Sequence, residues 1–172
     1  LCVLFLLGFS RGMQNALRVI DEAHQDWGEC IGRCHAPLIE AYRMDGAEYA
    51  IMTIGSMTGA AKDAVDEARE CGARVGLVKI KTYRPFPVAA VAAVLAEVKA
   101  VGVVDRSVSF GWNSGPLYQD TLGALAHVKR YVPATSFIGG LAGADLTVEH
   151  FLRVIESTAA LVKGAPAGGT VW

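Results

Sequence analysis

The chain has 172 residues, of which 52% are hydrophobic, and 16 Lys and Arg stand against 17 Asp and Glu for a formal net charge of -1. At roughly 100 to 200 residues per domain, that leaves room for one core and a short appendage, which excludes a complete multi-domain enzyme. The balanced charge, with no run of five or more like charges, supplies no field for a phosphate backbone and argues against nucleic acid as a partner.

The opening run from Leu1 to Phe9 is apolar. It falls far short of the roughly 18 residues of a membrane span, and it lacks both a Met and the basic flank of a secretory leader. No membrane partner is expected, and Leu1 reads as an internal position of a longer protein or of a truncated reading frame. From Met13 to Trp27, apolar residues at Met13, Leu17, Ile20 and Ala23 or Trp27 recur every three or four positions. That spacing predicts a helix, which Gly28 and Gly32 are expected to break. Gly28 to Gly46 mixes glycines, Pro37 and polar residues and reads as a connector, with the domain proper starting near Ala47.

Tyr49 to Ile54 is a nearly continuous apolar run, as a strand buried on both faces requires. A helix follows, with Ser56 or Thr58 as its expected cap, an apolar stripe at Ala61, Ala64, Val65, Ala68 and Cys71, and Gly72 as its stop. Arg74 to Ile80 is the next predicted strand, Val88 to Val98 a buried helix, and Ala100 to Val104 a third strand ending at Asp105. Pro116 opens a helix to about Val128, Ser136 to Ile138 offers a short strand, and a last helix starts near Thr147. Gly164 to Thr170 reads as a loose tail. Strands alternating with helices of this length predict an α/β three-layer sandwich with a mostly parallel sheet of about five strands.

Few constellations carry chemistry. Gly55-Ser56-Met57-Thr58-Gly59 joins a strand to a helix start, where an anion can sit, but it has neither a P-loop lysine nor the dinucleotide glycine spacing. A plain turn and cap is the preferred reading, with a stand-alone phosphate-ligand module as the alternative. Cys30, Cys34 and His35 lack the second pair of a closed metal site, so no metal ligand is assigned. With Cys2 and Cys71 they are unevenly spaced in a chain able to build its own core, which points to a reducing cytoplasm. No Gly-x-Ser-x-Gly elbow and no iron-sulfur spacing is present, so no catalytic residue is assigned.

Two segments stand out at the carboxyl ends of predicted strands, where partners dock on open α/β sheets. One is Tyr83, Arg84, Pro85, Phe86 and Pro87. The other runs from Asp105 through Arg106, Ser107, Phe110, Gly111 and Trp112 to Gly115 and Pro116. In a parallel sheet both emerge on one side, and aromatic residues beside arginine are enriched at interface anchors. An interface at Tyr83, Arg84, Phe86, Asp105, Arg106, Ser107, Phe110, Gly111, Trp112, Gly115 and Pro116 is one reading. A long loop pinned by local pairing of Asp105 with Arg106, and a proline segment that merely punctuates, is the other.

Taken in order, Gly-Ser-Met-Thr-Gly-Ala-Ala-Lys at 55 to 62, Val-Gly-Leu-Val-Lys-Ile-Lys-Thr-Tyr-Arg-Pro-Phe-Pro at 75 to 87, Val-Asp-Arg-Ser-Val-Ser-Phe-Gly at 104 to 111 and Gly-Pro-Leu-Tyr at 115 to 118 resemble the alpha subunit of pyruvate:ferredoxin oxidoreductase, or pyruvate synthase. The resemblance continues through Phe137 to Leu141 and Ala144 to Thr147, covers about Ala16 to Val162, and leaves out Leu1 to Gly12. It implies the subunit's second domain, similar to the transketolase carboxy-terminal domain, at 47 to 163. Residues 1 to 46 would be a helix and connector from a first domain, and 164 to 172 a tail.

By the same resemblance, thiamine diphosphate, magnesium, iron-sulfur clusters and coenzyme A belong to a complete complex with beta, gamma and delta subunits and ferredoxin as electron partner. None of these cofactors is expected on this chain, which alone would be an inactive scaffold offering its Tyr83 and Asp105 loops to other subunits. The substrate stays open between pyruvate, a branched 2-oxo acid and oxalate. The related domain of a transketolase or a 2-oxoacid dehydrogenase beta chain is a further alternative.

Overall fold

The computed structural model describes residues 2–172; Leu1, the first residue of the apolar opening run, lies outside them. One sheet in the order β1-β3-β2-β4-β5-β6 forms the middle layer. Its strands are β1 (Ile39–Tyr42), β2 (Tyr49–Ile54), β3 (Val75–Ile80), β4 (Val101–Asp105), β5 (Ala134–Ile138) and β6 (Thr170–Val171). The helices are α1 (Cys2–Ile31), α2 (Thr58–Glu70), α3 (Val88–Leu95), α4 (Pro116–Leu125) and α5 (Val148–Val162).

Strands β2 to β5 run parallel, with Tyr49 opposite Val75, Ala50 opposite Val101, and Val101 in turn opposite Ala134. Their apolar runs are buried on both faces because helices cover both faces. Ile51, Leu77, Val104 and Phe137 pack with Ala61 and Val65 of α2 and with Phe151 and Ile155 of α5. On the opposite face Met52, Val78, Val103 and Ala134 pack with Val91 and Leu95 of α3 and Leu117 and Ala124 of α4. Each fully buried side chain such as Phe151 or Ile51 contributes about 1.5–3 kcal/mol of transfer free energy. The result is the predicted three-layer α/β sandwich.

Three local features differ from the expectations. The sheet has six strands because both segments read as irregular add an edge. In the connector, β1 lies antiparallel to β3, Ile39 opposite Ile80, and in the tail β6 pairs parallel to β5 through Ser136 and Thr170. Strands of four and two residues carry too little alternation to be seen without their neighbours.

The first helix runs from Cys2 to Ile31 and not only from Met13 to Trp27. Gly28 does not break it. The Cys34 sulfur lies 2.7 Å from where a Cβ on Gly28 would be, so the glycine admits a close approach inside the helix. The stop falls at Gly32, whose positive φ of 71° lets its N–H donate to the Gly28 carbonyl at 2.8 Å.

Neither Ser56 nor Thr58 caps α2. A 3₁₀ turn at Gly55–Met57 intervenes, and the Thr58 hydroxyl donates back to the Gly55 carbonyl at 2.9 Å while contacting the Thr53 hydroxyl in the core. At its other end Gly72, at φ 88°, closes α2 as expected, with the Ala73 N–H donating to the Ala68 carbonyl.

Candidate functional site

The central parallel strands β2 to β5 end at Ile54, Ile80, Asp105 and Ile138, so the segments that follow them share one edge of the sheet. The chain passes from β2 outward to β3, then returns to β4 on the other side of β2. The edge therefore holds a topological switch point between β2 and β4, flanked by the Gly55 turn and the Asp105 loop.

Asp105 is buried, and it does not pair with Arg106. Its two carboxylate oxygens accept the Leu117 N–H at 2.9 Å and the Tyr118 N–H at 3.1 Å, which satisfies free amides in the first turn of α4. Gly115 precedes Pro116, the first helical residue, and no side chain fits at 115 because the Asp105 carboxyl occupies that space. Burial raises the Asp105 pKa above the usual carboxylate range, against the two N–H donors that pull it down. Asp105 is thus a structural cap that anchors the loop to the helix, and its oxygens are spent there.

Arg106 reaches the other way. Its guanidinium donates to the Gly140 carbonyl at 3.2 Å and the Ala144 carbonyl at 3.3 Å, tying the loop after β4 to the loop after β5. Gly140, at φ 69°, accepts this because a Cβ there would stand 2.8 Å from the Arg106 Nε.

Between these anchors the loop turns back on itself. The Ser109 N–H donates to the Ser114 carbonyl and the Trp112 N–H to the Ser109 carbonyl, with Gly111 and Asn113 at positive φ. The turn leaves Phe110 95% and Trp112 74% exposed. Ser107 is exposed beside them.

The Tyr83 segment is more packed. Tyr83 and Phe86 meet edge to face at 6.1 Å and lie against the α3/α4 core, and the Arg84 guanidinium stacks 4.1 Å over the Tyr83 ring. Arg84 also pairs with Asp120 of α4 at 2.8 Å, which joins this segment to the helix opened by the Asp105 loop. Among the described residues the buried Tyr83 hydroxyl has no hydrogen-bond partner, and burial, with the nearby Asp120 carboxylate, pushes its ionisation up to about 12.

The edge continues into residues the sequence did not single out. The Thr170 hydroxyl donates to the Asn113 carbonyl at 2.5 Å, so β6 holds the tip of the loop. A cavity of about 610 Å³ lies there, lined by Trp112, Ser114, Gln119 and Thr170. A second, of about 520 Å³, lies between β5 and α5 and is lined by Phe137, Leu146, Arg153 and Trp172. Trp172 is exposed and also lines the hollow below Phe110 and Leu141. Among the described residues no three His, Cys, Asp or Glu side chains come together as metal ligands, and no helix is long and apolar enough to cross a membrane. Cys30, Cys34 and Cys71 are free and exposed.

Parallel strands between two helical layers define an α/β domain with the fold of the transketolase carboxy-terminal domain. A split-gene transketolase matches with a TM-score of 0.55 at 15% identity over 67% of this chain and 39% of that one, a likeness of fold alone. Residues 47–151 match the family model described as pyruvate:ferredoxin oxidoreductase core domain II, and the chain belongs to that family. It is 63% identical over 160 residues to the alpha subunit of NADH-dependent phenylglyoxylate dehydrogenase from Aromatoleum evansii, covering 93% of this chain and 38% of that one. To the pyruvate synthase subunit PorA of Methanosarcina barkeri it is 36% identical, covering 89% of this chain and 38% of that one. The chain thus spans less than two fifths of the length of these relatives.

Proposed function

We propose that this chain is the second domain of the alpha subunit of a coenzyme-A-dependent 2-oxoacid oxidoreductase, a scaffold whose carboxyl sheet edge docks other subunits. The reaction of the complex is 2-oxo acid plus coenzyme A plus oxidised acceptor to acyl-coenzyme A, carbon dioxide and reduced acceptor. The observation that carries this reading is the family match over 47–151, which takes in the whole edge from β2 to the start of α5.

Pyruvate with ferredoxin is the substrate pair that the motifs suggest. The 63% identity to a phenylglyoxylate dehydrogenase subunit, against 36% to a pyruvate synthase subunit, favours an aromatic 2-oxo acid, with NAD as a second acceptor to be tried.

The residues present do not fit a thiamine diphosphate, magnesium or cluster site on this chain. Among the described residues the buried carboxylate at the edge is Asp105, and both of its oxygens are committed to backbone amides, so no step is routed through those groups here. The cofactors would carry the chemistry from other parts of the complex, which we place in the cytoplasm.

Expression of the complete gene set followed by a dye-reduction assay tests the proposal. Coenzyme-A-dependent oxidation of phenylglyoxylate exceeding that of pyruvate is expected. Pyruvate as the better substrate would reverse the substrate assignment, and a complete, assembled system that oxidises no 2-oxo acid would overturn the reading as a whole.

A further inference from the structure

Residues 164–172 wall the three hollows around the aromatic loop. Gly168, Gly169 and Thr170 line the cavity beside Trp112, Val171 and Trp172 line the one between β5 and α5, and Trp172 closes the hollow below Phe110. The segment is nevertheless lightly held. Its strand has two residues, Val171 and Trp172 are exposed, and Ala167 is the side chain that packs on the α2/α5 core. The Gly168 N–H donates to the Ala134 carbonyl at 3.0 Å and the Ser136 N–H to the Gly169 carbonyl at 3.2 Å, leading into the short β6 ladder. Gly164 at φ 94° and Gly168 at φ 84° bracket Ala165, Pro166 and Ala167, so each bend falls where no Cβ opposes a left-handed backbone.

The tip of the aromatic loop depends on this segment. Asp105 and Arg106 fix the base of the loop. From Ser107 to Asn113 the tip bonds to its own turn, through the Ser109 N–H to Ser114 and the Trp112 N–H to Ser109. Among the described residues, the hydrogen bond that reaches the tip from another segment comes from the Thr170 hydroxyl. Its acceptor is the carbonyl of Asn113, a non-glycine residue at φ 49°, so the bond fixes the peptide that leaves a left-handed turn.

We propose that residues 164–172 form a hinged strap that opens and closes as one unit, and that the loop tip is ordered only while the strap is closed. Opening breaks few bonds and uncovers little apolar surface, which makes it one of the low-cost local openings of the fold. Once Thr170 withdraws, the left-handed backbone at Asn113 loses its outside support and the tip relaxes. The consequence for assembly rests on the docking function proposed above for this edge. There the closed strap presents Phe110 and Trp112 to a partner subunit, and partner binding in turn holds the strap shut.

Amide exchange on the full 172-residue chain, resolved by residue with NMR, tests the coupling. Thr170→Val keeps the branched shape and loses the donor. It should raise exchange at Gly168, Ser109 and Trp112 by about 2- to 10-fold, the weight of one hydrogen bond, while Thr170→Ser, which keeps the hydroxyl, should stay near wild type. Gly168→Ala strains a bend of the strap at a position that bonds to β5 and not to the loop, and it should raise exchange at Ser109 and Trp112 by about 5-fold or more. Lys81 and Thr82, whose N–H groups donate to Leu38 at the far edge of the sheet, open with the strap still closed and should keep wild-type rates in every variant. Tip rates that either substitution leaves unchanged, or rates raised equally at Lys81 and Thr82, would overturn the proposal. Added partner subunits should slow exchange at Gly168. A tip that answers both substitutions, beside a Gly168 rate indifferent to those subunits, would uphold the strap and remove the docking role of the edge.

Discussion

Asp105 and Gly115 stand face to face at the mouth of α4, so close that a Cβ on Gly115 would lie 2.0 Å from the Asp105 carboxyl carbon. The carboxylate needs that space to reach the Leu117 and Tyr118 amides, and the glycine exists in answer to the cap. Gly115→Ala is therefore expected to destabilise the protein by about 1–3 kcal/mol through overpacking. Asp105→Asn, which leaves one amide facing an NH₂ group, should cost about 1–2 kcal/mol. Urea unfolding of each variant measures both, and a Gly115→Ala midpoint equal to wild type would mean that the helix start yields without cost.

The strands contain two more glycines with neighbours inside contact distance, and they should differ. A Cβ on Gly102 would meet the Thr158 hydroxyl at 2.2 Å and the Phe137 ring at 3.1 Å, and both are buried between β4 and α5. A Cβ on Gly76 would meet the Met44 sulfur at 2.3 Å, on a flexible and half-exposed side chain, and more distantly the Arg43 carbonyl at 3.1 Å and the Ala47 Cβ at 3.2 Å, both in the edge loop before β2. Gly102→Ala is thus expected to lower the thermal midpoint more than Gly76→Ala, with a loss of about 1–3 kcal/mol for the former. Calorimetry of the two variants compares them directly, and the reverse order would show that the α5 layer gives way more easily than the edge.

Phe110 and Trp112 are exposed on a loop held at both ends, so truncating them removes almost no native contact. Phe110→Ala and Trp112→Ala should change stability by under about 0.5 kcal/mol. If the sheet edge docks partner subunits, the same truncations should each weaken assembly by more than about 2 kcal/mol, near 30-fold, as buried aromatic anchors do. Co-purification yield and a titration of partner subunits onto the variants give the measurement. Unchanged assembly in the double variant would remove this loop from the interface.

Acid should loosen the β1 edge. The hydrogen bond from the Lys62 ammonium holds Glu40 below its ordinary 4.5, and the Tyr42 hydroxyl, then the Arg43 guanidinium, hold Asp66 below its ordinary 3.8. Both carboxyls ionise more readily in the folded state. Their contribution is complete above the unfolded values and is lost as pH falls through the lower folded ones. Asp105 has the opposite sign. Its raised value makes the folded state hold the proton longer, so its contribution falls as pH rises from 3.8 through the folded value. Urea midpoints between about pH 3 and pH 6 should show a steeper acid loss in Asp105→Asn than in wild type, and a shallower one in Glu40→Gln combined with Asp66→Asn. Parallel profiles for all three proteins would contradict both assignments.

The layered α/β plan was legible because β2, β3 and β4 are largely apolar runs bounded by glycines, prolines and helix-period stripes, and each of those signals is local. The stripe at Ala61, Ala64, Val65 and Ala68 packs on the sheet as its spacing requires. The family motifs at 55 to 62, 75 to 87 and 104 to 118 were equally local, and the family match spans them. Legible too was the common side of the Tyr83 and Asp105 segments, which follows from parallel strands alone.

What each residue of that edge does was decided by partners far away in the chain. Asp105 next to Arg106 reads as a local pair, yet burial turns the carboxylate inward to two amides of α4, and the guanidinium finds two carbonyls more than thirty residues away. The strand at Ile39–Tyr42 and the bond from Thr170 to Asn113 likewise exist only because a neighbouring edge offers unpaired backbone groups. The sequence by itself determined the period of the strands and helices of the sandwich and hence the layers. Only the tertiary structure decided which polar groups are spent on holding loops in place and which side chains, Phe110, Trp112 and Trp172 among them, are left facing out, because that choice depends on hydrogen bonds and burial between segments that spacing does not connect.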